Sequence, residues 1–270
     1  MRVAAIQMTS GSDIGANLDA AGRFLADAAG AGAVLAALPE NFAFMGRDSG
    51  EKRAIAEADG SGPIQTFLSD TARRHGLWIV GGTIPLQTES GRVSASCLVY
   101  GADGARAARY DKIHLFDVDV PGSTESHRES THTAPGREPR IVDTPAGRVG
   151  LSVCYDMRFP ELFRLLSREG AELFVVPSAF TVPTGKAHWE TLLRARAIEN
   201  LCALVAPAQW GVHPGGRETY GDSLIVDHWG NVVARSRAGT GCVVGDIDPA
   251  ARVAARAKFP ALAHRVIYNI

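Results

Sequence analysis

Two hydrophobic rhythms alternate along the chain. Short apolar runs recur from end to end: VAAIQM, AVLAALP, LWIVGGTI, VSASCLVY, RIVDT, VGLSVC, LFVVPSAF, CALVAPAQ, DSLIVD, NVVARS and CVVGDI. Several alternate apolar with polar residues, the period of a strand with one covered face. Others, such as LFVVPS, are continuously apolar, as in strands covered on both faces. Between them lie stretches with helical spacing. Residues 17–29 put Leu18, Ala21, Phe24, Leu25 and Ala28 on one stripe, and residues 63–75 do the same with Ile64, Phe67, Leu68 and Ala72. Pro160 suits a first helical turn, with Leu162, Phe163, Leu165 and Leu166 behind it and Gly170 as a stop. Residues 186–200 carry Trp189, Leu192, Leu193 and Ala197 on one face.

Strands and helices are thus interspersed, with no linker, repeat or low-complexity segment. This predicts an α/β fold in a single domain over residues 1–270. Two sheets covered outside by helices are the economical arrangement, although pattern alone leaves a doubly wound single sheet open. The composition, 46% hydrophobic and 21% charged over 270 residues, suits one large folded core. Residues 117–137 read as a long polar loop, and such a loop in a compact domain is usually functional or mobile.

Charge narrows the function. The formal net charge of −1 provides no long-range field for nucleic acid or an anionic membrane, so a small molecule is the expected partner. The start, MRVAAIQMTS, lacks the apolar core of a secretion signal, and no apolar run approaches the roughly 20 residues of a membrane helix. A cytoplasmic location is expected. Cys97, Cys154, Cys202 and Cys242 are far apart and form no CxxC pair, so free thiols are expected rather than disulfides or a zinc site. The histidines lack metal-ligand spacing, and no nucleotide-binding glycine loop is present; HPGGRETYG has neither the flanking strand nor the spacing of one. No metal or organic cofactor is expected.

Three stretches carry candidate chemistry. In LPENFAFMG, Glu40 follows an apolar run, shielded by Phe42, Phe44 and Met45, where a carboxylate can serve as general base. In RYDKIHLFDVD, Lys112 is bracketed by Tyr110, Ile113, Leu115 and Phe116 and can stabilise an oxyanion or a thiolate. In GLSVCYDMRFPE, Cys154 closes an apolar run and can act as a nucleophile if a base and an oxyanion donor lie near; the Tyr155 backbone N–H is such a donor. Alone, each has an ordinary explanation: a solvated loop glutamate, a lysine whose ammonium reaches water, and a buried cysteine at a strand end. His114 and His188 raise a Cys–His pair, but the local signatures of such proteases are absent.

Taken together and in order, LPEN, YDKIHLFD and CYDMRFPE resemble the glutamate, lysine and cysteine motifs of the nitrilase (carbon–nitrogen hydrolase) superfamily. VAAIQM, VPSAFTVPTGKAHWETLLRARAIEN and YGDSLIVDHWGNVVA extend the resemblance almost end to end. It implies a four-layer α-β-β-α sandwich and a Glu40–Lys112–Cys154 triad, with Glu129 as a second glutamate near the lysine; Glu125, four residues earlier, is the competing position. It also implies an acyl pocket of Phe180, Thr181 and Thr184. Arg158 suits either a substrate carboxylate or a salt bridge that fixes the turn. DVDVPG, AFTVPTGKAHWETLLRARAIEN and APAQWG are most similar to the Nit branch, whose members include enzymes that hydrolyse deaminated glutathione. The related ω-amidases, acting on α-ketoglutaramate and α-ketosuccinamate, share YDKIHLFDVDVPG. The implied reaction is hydrolysis of a small carboxylate-bearing amide through a cysteine thioester. A catalytically idle binding or assembly relative is the alternative of another class. Asp222, where the family has histidine, and His228, where it has proline, depart from the pattern. The family's habit of associating through its outer helices implies a homodimer or larger homo-oligomer.

Overall fold

The computed structural model describes residues 1–121 and 125–267. Two sheets face each other. The first runs Gly241–Asp246, Arg2–Gln7, Leu35–Ala37, Trp78–Val80, Val93–Tyr100, Ile84–Gln87, with Arg106–Asp111 and Thr133–Ala134 also paired to Val93–Tyr100. The second runs Arg140–Thr144, Gly147–Leu151, Leu173–Val175, Ala203–Ala206, Ser223–Val226, Val232–Ser236. Each has a parallel centre of three strands, and those strands are joined through the helices α1 (Ile14–Gly30), α2 (Pro63–His75), α3 (Pro160–Arg168) and α4 (Val182–Asn200). A fifth helix, α5, spans Pro249–Lys258.

Side-chain alternation sorts these elements into four layers. In the first sheet Val3, Ala5, Leu35, Ala37 and Val99 turn towards Val149, Leu151, Leu173 and Val175 of the second. Their sequence neighbours Ala4, Ile6, Ala36, Ile79 and Leu98 turn outward and pack with Ala21, Leu25, Ile64 and Leu68 of α1 and α2. On the far side Phe174 meets Phe163 of α3 edge to face, centroids 5.1 Å apart. The layers are therefore α-β-β-α, and the single-sheet alternative is excluded. Burial of each Val, Leu, Ile or Phe among them contributes roughly 1.5–3 kcal/mol.

Three expectations need correction. LWIVGGTI is not one strand: Gly81 and Gly82 separate Trp78–Val80 from Ile84–Gln87. Gly82 has φ +55°, and a Cβ there would lie 2.1 Å from the Pro39 carbonyl oxygen, so the close approach of the chain beneath Glu40 needs glycine. Residues 117–137 are not one loop. They contain a hairpin (Asp117–Asp119 with Ser126–Arg128), a 3₁₀ turn (Glu129–Thr131) and the strand Thr133–Ala134. This hairpin is held by polar pairs, Arg128 with Asp119 and Ser126 with Asp119, which leave no hydrophobic pattern to read. Third, Cys154 does not close a strand; its strand ends at Leu151.

Asp222 is buried with φ +66°, and it takes a bidentate pair from Arg235 at 2.5 and 2.6 Å. Its departure from the family pattern is thus absorbed by packing inside the fold. The apolar C-terminal stretch FPALAHRVIYNI, residues 259–270, ends in residues 268–270, which lie outside the described residues. Among the described residues no helix is long and apolar enough to cross a membrane.

Candidate active site

Three chain segments leave their strands at one edge of the sandwich. Glu40 lies three residues past Leu35–Ala37, Lys112 one past Arg106–Asp111, and Cys154 three past Gly147–Leu151. The first two come from one sheet and the third from the other, so the site sits at the carboxyl ends of strands where both sheets contribute.

Cys154 is held in an unusual backbone conformation, φ +49°, at the start of the 3₁₀ turn Cys154–Arg158. A non-glycine residue there stores strain, and the surroundings must over-determine it. Asp156, fully buried, does so. Its Oδ2 accepts from the Val153 N–H (2.8 Å) and the Tyr110 hydroxyl (2.7 Å); its Oδ1 accepts from the His114 N–H (3.0 Å) and lies 2.7 Å from His114 Nδ1. The Cys154 N–H donates to the Pro177 carbonyl at 2.9 Å. One carboxylate thus clamps the cysteine turn to the lysine segment. His114 is engaged by this clamp and stacks on Phe159, so it forms no Cys–His pair.

Lys112 is 2% exposed, which excludes the reading of a lysine reaching water. Its Nζ donates to Glu40 Oε1 and to Glu129 Oε2, each at 2.8 Å. Glu129 Oε2 also accepts the Phe116 N–H at 2.8 Å. Glu125 instead sits 3.3 Å from His127, so Glu129 is the glutamate brought to the lysine. The Cys154 thiol lies in the same cavity as Glu40, near enough for the carboxylate to oppose its ionisation. Glu40 therefore bonds the ammonium and faces the thiol.

The electrostatics follow from this packing. Burial pushes the Glu40 carboxyl up, but the Lys112 charge and hydrogen bond outweigh it and hold the carboxyl below its usual value. Burial pushes the Cys154 thiol well up, Glu40 adds to this, and Lys112 and the Ala179 N–H oppose it. Burial also opposes charge on Lys112, yet Glu129 and Glu40 keep it protonated far into the alkaline range. The resting state is a carboxylate beside a neutral thiol. Replacing Lys112 by methionine leaves two buried carboxylates without their cation and should lower stability by about 3–5 kcal/mol. Denaturant unfolding reads this directly; a loss below about 1 kcal/mol would show that the cluster is not holding charge in the folded state.

The three groups open into a cavity of about 150 Å³, which Tyr155, Arg158, Phe180, Thr181 and Thr184 also line. Every side chain assigned to the site from sequence is therefore brought together. Arg158 takes no carboxylate partner among the described residues: its guanidinium lies over the Phe180 and Tyr155 rings, 5.4 and 5.8 Å from their centroids, and 3.2 Å from His188 Nδ1. The salt-bridge reading of Arg158 is thus not what the fold contains. The Thr181 and Thr184 hydroxyls are 2.8 Å apart. Sequence reading missed Asp156, the Ala179 N–H that faces the sulfur, Lys52 and Arg217. Asp156 lies two residues past the cysteine, but neither that spacing nor any periodicity indicates a clamp.

A buried thiol facing a carboxylate, beside an ammonium, on a four-layer α-β-β-α fold, suits hydrolysis of an amide C–N bond through the sulfur. Comparison with known proteins agrees. A family model described as Carbon-nitrogen hydrolase matches residues 2–257. The chain belongs to this family, in the Nit branch of the nitrilase superfamily. It is 41% identical over 266 residues to a protein of Synechocystis sp. named deaminated glutathione amidase, covering 97% of each chain. It superposes on Saccharomyces cerevisiae Nit3, described as a member of branch 10 of the nitrilase superfamily, with TM-score 0.89 at 30% identity, covering 99% of this chain and 97% of that one. It also superposes on a glutamate-to-glutamine mutant of the amidase from Nesterenkonia sp. AN1, with TM-score 0.80 at 27% identity, covering 96% of this chain and 98% of that one. That structure shows the result of Michael addition of acrylamide at its active site cysteine.

Proposed function

We propose that Glu40, Lys112 and Cys154 hydrolyse the amide of deaminated glutathione, a glutathione whose amine is replaced by a ketone. The observation that carries the catalytic reading is that Glu40, bonded to the Lys112 ammonium, lines one cavity with the Cys154 thiol. Glu40 removes the thiol proton as Sγ attacks the amide carbon. The oxyanion forms against the Lys112 ammonium and the Tyr155 N–H, which has no acceptor among the described residues. Protonated Glu40 then gives its proton to the amide nitrogen, the C–N bond breaks, and the amine leaves a thioester on Cys154. Water loses a proton to Glu40 and attacks the thioester carbon. The C–S bond breaks, and the sulfur takes the proton back from Glu40. One residue alternates between base and acid, and Glu129 positions Lys112 throughout.

The substrate reading rests on the likeness to relatives named for it and on the charge of the cavity lining. Lys52, Lys112, Arg128, Arg158 and Arg217 line the cavity together with only two carboxylates, Glu40 and Glu129. That imbalance suits an anionic substrate, with Arg158 offering its fork to the carboxylate on the acyl side. Domain unity over 1–270, cytoplasmic location and homo-oligomerisation belong to the same reading. Its test is a substrate panel: deaminated glutathione should be hydrolysed with a higher kcat/KM than α-ketoglutaramate. The reverse order would make the protein an ω-amidase, and turnover of neither would leave it an idle relative.

A further inference from the structure

Two cations that the reaction leaves unused stand where the inner cavity widens. Lys52, Arg217, Asn41, Ser126, His127 and Arg128 line both the catalytic cavity and an outer groove of about 690 Å³. They form its neck, whereas Arg158, Phe180 and Thr184 line only the inner part.

Arg217 and Lys52 lack the partners that cations in such positions normally have. Arg217 donates from one terminal nitrogen to the Ala179 carbonyl at 3.1 Å, but its Nε is buried with no hydrogen-bond acceptor among the described residues. Lys52, partly buried on the 3₁₀ turn Ser49–Arg53, makes neither a hydrogen bond nor an ion pair with any described residue. Burial opposes its charge most. Glu129 and Glu40 favour that charge from a distance, while Arg217 and Lys112 repel it. Both carboxylates are already bonded to Lys112. Arg128, the remaining cation of the neck, is engaged with Asp119. An unpaired, partly desolvated guanidinium beside an unpaired ammonium is destabilising alone and favours an anion between them.

The mounting is rigid. Arg217 follows a turn whose Gly215 and Gly216 have φ +78° and +83°. The His213 N–H donates to the Arg217 carbonyl at 2.8 Å, and the His213 ring is fixed between the Ser10 carbonyl (2.9 Å) and the Thr219 hydroxyl (2.7 Å). The hairpin that carries it, Trp210–Val212 with Glu218–Tyr220, bonds to the Phe180 segment, the Tyr220 N–H donating to the Phe180 carbonyl at 2.9 Å. Preorganisation of this kind reduces the entropy lost on binding.

We infer that Lys52 and Arg217 form a subsite for a carboxylate carried on the leaving-amine side of the substrate. This deepens, and rests on, the substrate reading above. An inner cavity of about 150 Å³ holds a short acyl chain, so a leaving amine of dipeptide size must extend through the neck into the groove. The carboxylate at its far end then meets the paired cations. An amide that releases only ammonia never reaches them.

The test compares two substrates that differ only at that end: deaminated glutathione with its free C-terminal carboxylate, and the same compound with a C-terminal carboxamide. The wild-type enzyme should prefer the carboxylate by about tenfold or more in kcat/KM, mainly through KM. That preference should fall towards one in Lys52→Met and in Arg217→Met, and Arg217→Lys should restore most of it. A loss of structure in one variant leaves the other and the wild-type ratio to decide. A wild-type ratio near one, or a ratio unchanged in both variants, overturns the subsite while leaving the amidase reading intact. Release of ammonia from α-ketoglutaramate with no cleavage of either longer substrate overturns the substrate reading and the subsite with it.

Discussion

Cys154→Ala should yield a folded protein that no longer hydrolyses its amide, with kcat/KM reduced on the order of 10⁴-fold or more. The magnitude follows from the loss of the covalent route: Glu40 and Lys112 remain, but nothing is left for them to activate except water in a cavity shaped around sulfur. The fold should survive because the turn is held by Asp156 and by the Cys154 main chain, not by the thiol. The side chain removed is small, and its burial contributes only a little over one methyl group. Circular dichroism and thermal melting of the variant, alongside its activity, check both halves. Full turnover by a folded Cys154→Ala protein would remove the cysteine from the mechanism.

Glu40→Gln should be the second largest effect, about a thousandfold in kcat/KM. Glutamine still accepts from Lys112, so the loss is of proton transfer rather than of architecture. The wild-type pH profile carries a linked expectation. Lys112 holds the Glu40 carboxyl below its usual value, so the base form persists as pH falls. The acid limb of kcat/KM should therefore lie below the ordinary glutamate value of about 4.3. The stabilisation from this depressed carboxyl is present above the unfolded-state value and is lost as pH falls through the folded one. Activity and stability should decline together at the acid end. An acid midpoint near neutrality would contradict the assignment of Glu40, as would near-normal turnover by Glu40→Gln.

The outer architecture was legible because burial writes a period. VSASCLVY and RIVDT are strands over the whole length read from sequence, and residues 63–75 form α2 as their stripe predicts. α4 begins four residues before the stripe read from sequence, at Val182, with Pro183 in its first turn. The polar hairpin was hidden because ion pairs, not apolar contacts, hold it. The site was legible only through the resemblance of three ordered motifs. Taken singly, Glu40, Lys112 and Cys154 had ordinary explanations, and their meeting depends on loops from two sheets that no local spacing encodes. Asp156 and Arg217 show the limit more sharply. One is a carboxylate whose four contacts come from segments more than 30 residues apart in the chain, and the other sits in a glycine-rich turn excluded as a phosphate loop.

The central claim is a thioester on Cys154. The most direct measurement is mass spectrometry of enzyme quenched in acid during turnover of deaminated glutathione, followed by proteolysis. The account predicts an acyl mass increase on the peptide containing Cys154 that disappears when the quenched protein is treated with hydroxylamine. An adduct on Cys97, Cys202 or Cys242 instead, or turnover with no adduct trapped on any cysteine while Cys154→Ala remains active, would contradict it.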